Sequence, residues 1–197
     1  MVWKLITADS LPSMPWKNGG GTTREVLKFP ASATIDTFDW RISLAAVATS
    51  GPFSLFPDID RTMIVTDGQG IELDDKDERI VLRRSGEPFS FSGESPYRVS
   101  LIDGPIADLN VMTRRTRYSH SVHRHRAAGA SIDRGNIRVI VALSDRLICA
   151  VGTECIALAR LDSLFVHGTE SAGVEATDWL EVEIARLQPA PKAAATW

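Results

Sequence analysis

Most of this 197-residue chain alternates with a period of two, in runs rich in Val, Ile, Phe and Thr that glycine and proline signals interrupt. Successive side chains of an extended strand point to opposite faces, whereas a helix brings every third or fourth residue to one face. The pattern therefore points to an all-β fold. Residues 40–47 show it most clearly: Trp40, Ile42 and Leu44 share one face, and Arg41 and Ser43 share the other. In residues 59–66 the shared face is Arg61, Met63 and Val65. Short strands leave many unpaired edges, and closing a sheet into a barrel removes them.

Further strands are expected over residues 3–7, 22–29, 70–73, 78–84, 89–91, 97–102, 117–126, 137–143, 147–151, 155–158, 164–167 and 179–185. Residues 108–114 either start as a short helix or run as a strand. Asp67-Gly68-Gln69 reads as a hairpin loop that pairs residues 59–66 with 70–73. A boundary near residues 113–120 divides the chain into a first unit, 1–115, and a second, smaller unit, 116–187. The two should pack tightly, because 137–143 and 155–158 are too apolar to face water. Residues 188–197, rich in Pro and Ala, read as a disordered tail.

The net charge of −3 comes from acidic and basic residues mixed along the whole length, so no polybasic tract offers nucleic acid a counterion-release surface. The first residues lack the apolar core of a signal peptide, and no run approaches 18 apolar residues, so a cytoplasmic protein without a membrane partner is expected. Cys149 and Cys155 read as reduced, buried thiols rather than a disulfide.

One stretch is not explained by strand formation: Pro15-Trp16-Lys17-Asn18-Gly19-Gly20-Gly21-Thr22-Thr23-Arg24-Glu25. Three glycines in a row are entropically expensive. They serve either as a tight turn feeding a strand or as a backbone cradle for an anion, with Lys17 and Arg24 adding positive charge. A nucleotide phosphate loop is excluded, because it needs strand, G-x-x-x-x-G-K-[ST] and helix in that order. Ser43 and Ser54 lack a nucleophile-elbow G-x-S-x-G.

Residues 14–25, Asp39-Trp40-Arg41-Ile42-Ser43, Gly51-Pro52-Phe53-Ser54, Asp60-Arg61-Thr62 and Asp108-Leu109-Asn110-Val111-Met112-Thr113-Arg114 together resemble the HutD/Ves family, most strongly over residues 14–114. The resemblance implies a cupin-type β-barrel, arranged as a bicupin, in a bacterial family linked to histidine utilisation. Metal cupins carry G, five residues, H-x-H, three or four residues, E, six residues, G. Begun at Gly51, this spacing places Pro57, Ile59 and Met63 at the ligand positions and Gly70 at the last glycine. None of the three offers a nitrogen or oxygen side-chain donor, so no metal and no cofactor is expected. His120, His123 and His125 are the remaining metal candidates, but Arg115, Arg117, Arg124 and Arg126 crowd them, and they read as part of an exposed basic strand.

The candidate ligand-binding residues are Lys17, Asn18, Gly20, Thr22, Arg24, Glu25, Arg41, Ser43, Arg61 and Asn110. Arginine on a barrel strand is costly to bury unless it is paired. It therefore either meets Glu25 or Asp60 or awaits an anion, and both arrangements stay open. Lys17, Arg24, Arg41 and Arg61 are expected to converge on one anion site. If they do, lysine at position 41 or 61 should weaken binding with little change in melting temperature. The expected partner is a small carboxylate, with homodimerisation left open. The reading is a non-enzymatic, regulatory binder of an acid of histidine breakdown, with urocanate or N-formylglutamate as candidates. The alternative is a metal-independent isomerase or lyase in which Glu25 or Lys17 moves a proton.

Overall fold

The computed structural model describes residues 2–131, 137–167 and 172–188. The expected tail falls, from residue 189 on, outside the described residues. The first strands are β1 (Val2–Ile6), β2 (Ser13–Pro15), β3 (Gly21–Phe29), β4 (Trp40–Val47), β5 (Gly51–Pro52), β6 (Ile59–Asp67), β7 (Ile71–Asp74), β8 (Arg79–Leu82), β9 (Phe89–Ser92), β10 (Arg98–Leu101) and β11 (Ile106–Arg114). They are followed by β12 (Tyr118–His125), β13 (Gly129–Ser131), β14 (Ile137–Ala142), β15 (Leu147–Val151), β16 (Glu154–Leu158), β17 (Ser163–His167), β18 (Ala172–Glu175) and β19 (Trp179–Arg186). A single 3-10 turn, Ala8–Ser10, is the only helical element among the described residues. Residues 108–114, which allowed a helix, lie in β11.

These strands form four sheets, ordered β2-β3-β4-β11-β6-β9, β5-β10-β7-β8, β1-β17-β14-β19-β12 and β13-β18-β15-β16. Val47, Met63 and Val65 of the first sheet meet Ile71, Leu73 and Val99 of the second in one core. A separate core joins Ile140, Leu164 and Trp179 of the third sheet to Leu147, Cys149 and Val174 of the fourth. The first and third sheets then pack back to back through Trp40, Ile42, Leu44, Ile64, Leu109 and Val111 on one side and Val139, Val141, Leu180, Val182 and Ile184 on the other. Alternation on β4 thus puts Trp40, Ile42 and Leu44 in this seam and turns Arg41, Ser43 and Ala45 toward the interior of the first sheet pair. Each large apolar side chain buried there contributes roughly 1.5–3 kcal/mol.

Three local expectations change. Residues 59–66 and 70–73 do not form a hairpin: β6 pairs with β11 and β9, whereas β7 pairs with β10 and β8. Gly68 and Gly70, with φ of 82° and 137°, turn the chain from one sheet into the other. The N-terminal strand does not stay with the unit drawn as 1–115. Strand β1 pairs along its whole length with β17 and covers an edge that would otherwise be open. The Ala8 amide then donates to Asp162 Oδ1 at 2.8 Å, anchoring the exit of β1. Finally, Cys149 is buried but Cys155 is exposed, because β16 alternates Ile156 and Leu158 inward with Cys155 and Ala157 outward.

A fragment of residues 1–115 would expose the Ile42, Leu44, Ile64 and Val111 face and leave β1 without its partner. It should show no cooperative thermal transition and should aggregate when expressed alone. A sharp melt by circular dichroism would contradict this.

Candidate functional site

Strand β11 runs between β4 and β6, and its register arranges the inward side chains in rows. Met112 lies between Arg41 and Arg61, Asn110 between Ser43 and Met63, and Asp108 between Ala45 and Val65. Arg41 and Arg61 are therefore two strand spacings apart, on the order of 10 Å between backbones. This patch floors a cavity of about 550 Å³ whose walls include Trp16, Phe53, Phe56 and Val99, with Lys17, Asn18 and Gly20 also lining it.

Both arginines are buried, Arg61 at 5% exposure and Arg41 at 7%. Arg61 donates from Nη2 to Asn110 Oδ1 at 2.8 Å and from Nη1 to the Ser54 carbonyl at 3.2 Å. Its guanidinium carbon sits 4.3 Å from the ring centre of Phe53, 5.0 Å from Phe91 and 5.3 Å from Phe56. The ring faces replace part of the lost hydration of the cation. Burial, opposed by the charge of Asp108 and reinforced by that of Arg41, pushes Arg61 down to about 9, so it stays charged at neutral pH. Arg41 donates from Nε to Glu25 Oε2 at 3.0 Å and from Nη1 to Ser43 Oγ at 3.3 Å. Its Nη2 has no hydrogen-bond partner among the described residues.

Of the ten candidates, Lys17, Asn18, Gly20, Arg41, Ser43, Arg61 and Asn110 line the cavity, and Thr22, Arg24 and Glu25 do not. Thr22 and Arg24 pair with Ala46 and Leu44 and so share the outward face of the sheet. Arg24 reaches the Ala8 carbonyl at 3.4 Å, so the expected convergence of four cations is reduced to three. A register shift between Glu25 and Leu27 brings Lys28 opposite Arg41. Glu25 consequently bridges Lys28 at 3.1 Å and Arg41 at 3.0 Å. Asp60 pairs with Arg115 at 3.0 Å, not with Arg61.

The three glycines have separate steric reasons. Gly19 has φ of 71°. A Cβ on Gly20 would meet Thr49 Oγ1 at 2.9 Å, and one on Gly21 would meet the Ala46 carbonyl at 2.3 Å. The Gly19 N–H donates to the Trp16 carbonyl at 3.0 Å and the Gly20 N–H to Asn18 Oδ1 at 3.0 Å. These two amides are committed to the turn, so it shapes the rim and does not use them to cradle an anion.

Asp108 is the site residue that the sequence reading missed. It lies two positions before Asn110 on an alternating strand, which was the signal available. Asn110 Nδ2 donates to Asp108 Oδ1. Burial, partly offset by the Arg61 charge and the Asn110 hydrogen bond, pushes the Asp108 carboxyl up to about 7.

Strand β12 is not simply exposed and basic. His120 is held between Thr62 Oγ1 at 2.8 Å and Thr113 Oγ1 at 2.7 Å, and burial, opposed by Asp60, pushes it down to about 4. His125 stacks on Trp179 with ring centres 4.0 Å apart, and Arg124 pairs with Asp178. Among the described residues no group of three or more His, Cys, Asp and Glu is placed to hold a metal ion. The cavity floor, with two arginines, Ser43, Asn110 and one carboxylate, does not fit a transition metal. No helix among the described residues is long and apolar enough to cross a membrane.

The two shifted groups pull stability in opposite directions. The native Asp108 carboxyl keeps its proton up to about 7 while an unfolded one releases it near 4, so its contribution is lost as pH rises across that window, on the order of 4 kcal/mol in all. Native His120 stays neutral down to about 4 while an unfolded histidine protonates near 6.5, so its contribution is lost as pH falls. Asp108→Asn should therefore make stability rise more steeply with pH between about 4 and 6.5, and His120→Gln should make it fall. Urea melts across this range check both signs. Identical slopes in wild type and both variants would contradict the burial of these groups.

A model of the family described as HutD matches residues 8–182. Protein Ves of Citrobacter koseri is 34% identical over 151 residues, spanning 74% of this chain and 78% of that protein. A 21.2 kDa protein in the hutC 3' region of Pseudomonas putida is 31% identical over 170 residues, spanning 85% and 88%. Among solved structures, HutD from Pseudomonas fluorescens SBW25 superimposes with a TM-score of 0.84 at 28% identity, covering 95% of this chain and all 100% of that one. A cupin 2 conserved barrel domain protein from Leptotrichia buccalis has a TM-score of 0.57 at 10% identity over 93% and 96% of the two chains, a likeness of fold alone. The chain thus belongs to the HutD family, cupin-like in fold and linked to the histidine-utilisation locus.

Proposed function

We propose that the protein binds a small carboxylate metabolite in the cavity of its first sheet pair and serves as a regulatory, non-enzymatic component of histidine breakdown. The two sheet pairs are read as the two units of a bicupin, with the first carrying the ligand. The carrying observation is that Arg41 Nη2 lines this cavity without a partner, beside Ser43, Asn110 and the Arg61 guanidinium. Charge-assisted N–H bonds to a carboxylate are worth about 1.5–3 kcal/mol each. The locus of the family makes urocanate and N-formylglutamate the acids to test first. A second reading, acid–base catalysis, is favoured by Asp108: a buried carboxyl at about 7 on the cavity floor is matched to proton transfer at neutral pH. Glu25, tied to Lys28 and Arg41 and outside the cavity lining, is the poorer candidate.

Titration calorimetry with urocanate and N-formylglutamate should give saturable binding, and NMR of the same mixtures should show the ligand unchanged. Absence of heat with either acid would contradict the proposal, and conversion of the acid would favour the catalytic reading. Arg61→Lys should weaken binding at least about 10-fold, since lysine cannot present two parallel N–H groups. The sequence reading expected an unchanged melting temperature for this variant, but the contacts to Asn110, Ser54 and three aromatic rings make a drop of several degrees the expected result. Lys17→Met, at the exposed rim, should weaken binding without that drop.

A further inference from the structure

We propose that Arg115 and Glu94, which do not line the cavity, are positioning residues for its ligand: their ion pair latches residues 53–58 in place as a preformed wall, and breaking it weakens binding from outside the site. This rests on reading the cavity as a carboxylate site. The main chain of Asp58 carries it. Asp58 has φ of 62°, a left-handed conformation that few residues other than glycine, asparagine and aspartate adopt. Its N–H donates to Glu94 Oε1 at 2.7 Å, and its carbonyl accepts from the Arg115 N–H at 3.0 Å. The two members of one pair therefore hold the amide and the carbonyl of one strained residue. Arg115 closes the pair from Nη1 to Glu94 Oε1 at 3.0 Å and from Nη2 to Glu94 Oε2 at 2.7 Å, and its Nε reaches Asp60 Oδ1 at 3.0 Å. Hydrogen bonds from Arg115, Ser92 and the Asp58 amide keep the Glu94 carboxyl well below the usual carboxylate range, so the pair stays charged wherever a small carboxylate is ionised.

The latched segment is the wall that faces Arg61. Phe53 and Phe56 turn their rings to its guanidinium, and the Ser54 carbonyl accepts from its Nη1. All three residues line the cavity. The neighbouring main-chain bonds run from the Phe53 N–H to the Tyr97 carbonyl at 2.9 Å and from the Phe56 N–H to the carbonyl of Gly93, next to Glu94, at 2.8 Å. Leu55 between them is 57% exposed, so the segment gains little from packing on its outer side. A stretch with few buried contacts opens at low free-energy cost unless its ends are fixed.

Glu94→Ala and Arg115→Met change the net charge in opposite senses, which separates a latch from a charge effect. Felt only as charges, the two residues would make an anion bind Glu94→Ala more tightly and Arg115→Met more weakly. As a latch, both variants should bind urocanate and N-formylglutamate at least about 10-fold more weakly by calorimetry, because the ligand then has to order the wall itself. Arg126→Met removes the same charge from an exposed pair with Glu87 and should bind as wild type does. Without any ligand, amide exchange should speed up at Phe56 and Asp58 in both latch variants and stay unchanged at Ile42 and Leu109 of β4 and β11. Should Arg115→Met fail to fold, Glu94→Ala decides alone. Unchanged or tighter binding by Glu94→Ala, or exchange at Phe56 and Asp58 like that of wild type, would overturn the proposal and leave the carboxylate reading standing. No binding of either acid by wild type would remove both.

Discussion

A guanidinium keeps its charge at any pH a cell meets, so a barrel that buries two of them must surround them with partners. Arg41 and Arg61 impose this condition on the first sheet pair, and much of the cavity is arranged to meet it. Three aromatic rings surround Arg61, while Asn110 and the Ser54 carbonyl fix its plane. Glu25 and Ser43 do the same for Arg41. Asp108 balances charge at a distance and is itself held partly protonated by its burial. An apolar filling of the same volume would be no less stable, since buried ion pairs rarely repay their desolvation. The second sheet pair has Ile140, Leu147, Val151, Leu158 and Leu164 in its interior, and it too buries charged side chains, Arg138 and Glu181, on the face that Ile140 shares.

The seam between the sheet pairs gives the polar floor a rigid support. Strand β4 is buried on both faces, with Trp40, Ile42 and Leu44 locked against the third sheet and Arg41 and Ser43 turned the other way. Rotating Arg41 away from the cavity would require β4 to leave that seam. The pairing of β1 with β17 ties the chain's first residues to the second pair before it enters the first. Preorganised donors of this kind bind an anion without first spending free energy on ordering themselves.

Period-two alternation made the all-β class legible, and it placed Arg41 with Ser43 and Arg61 with Met63 and Val65 on shared faces. The same rule shows that neighbours such as Arg24 and Glu25 cannot both turn inward, and only the register decides which does. That register contains a bulge after Glu25, which no local pattern in residues 22–29 reveals. Asp108 was readable from its spacing to Asn110, two positions further along the same strand. Contacts distant in sequence were out of reach. Gly68 and Gly70 look like hairpin residues whether the chain folds back or crosses to another sheet, and His120 gives no local sign of Thr62, 58 positions away. The glycine run answers the close approach of Thr49 and Ala46 to the turn, contacts that no local pattern reveals.

A crystal structure of the protein grown with urocanate tests the proposed carboxylate site most directly. Density should fill the cavity between Trp16 and Phe53, with the carboxylate at hydrogen-bond distance, roughly 3 Å, from Arg41 Nη2 and an Arg61 terminal nitrogen. Urocanate found only elsewhere, for example in the basic cleft of Arg83, Arg84 and Arg124, with this cavity filled by water, would contradict it.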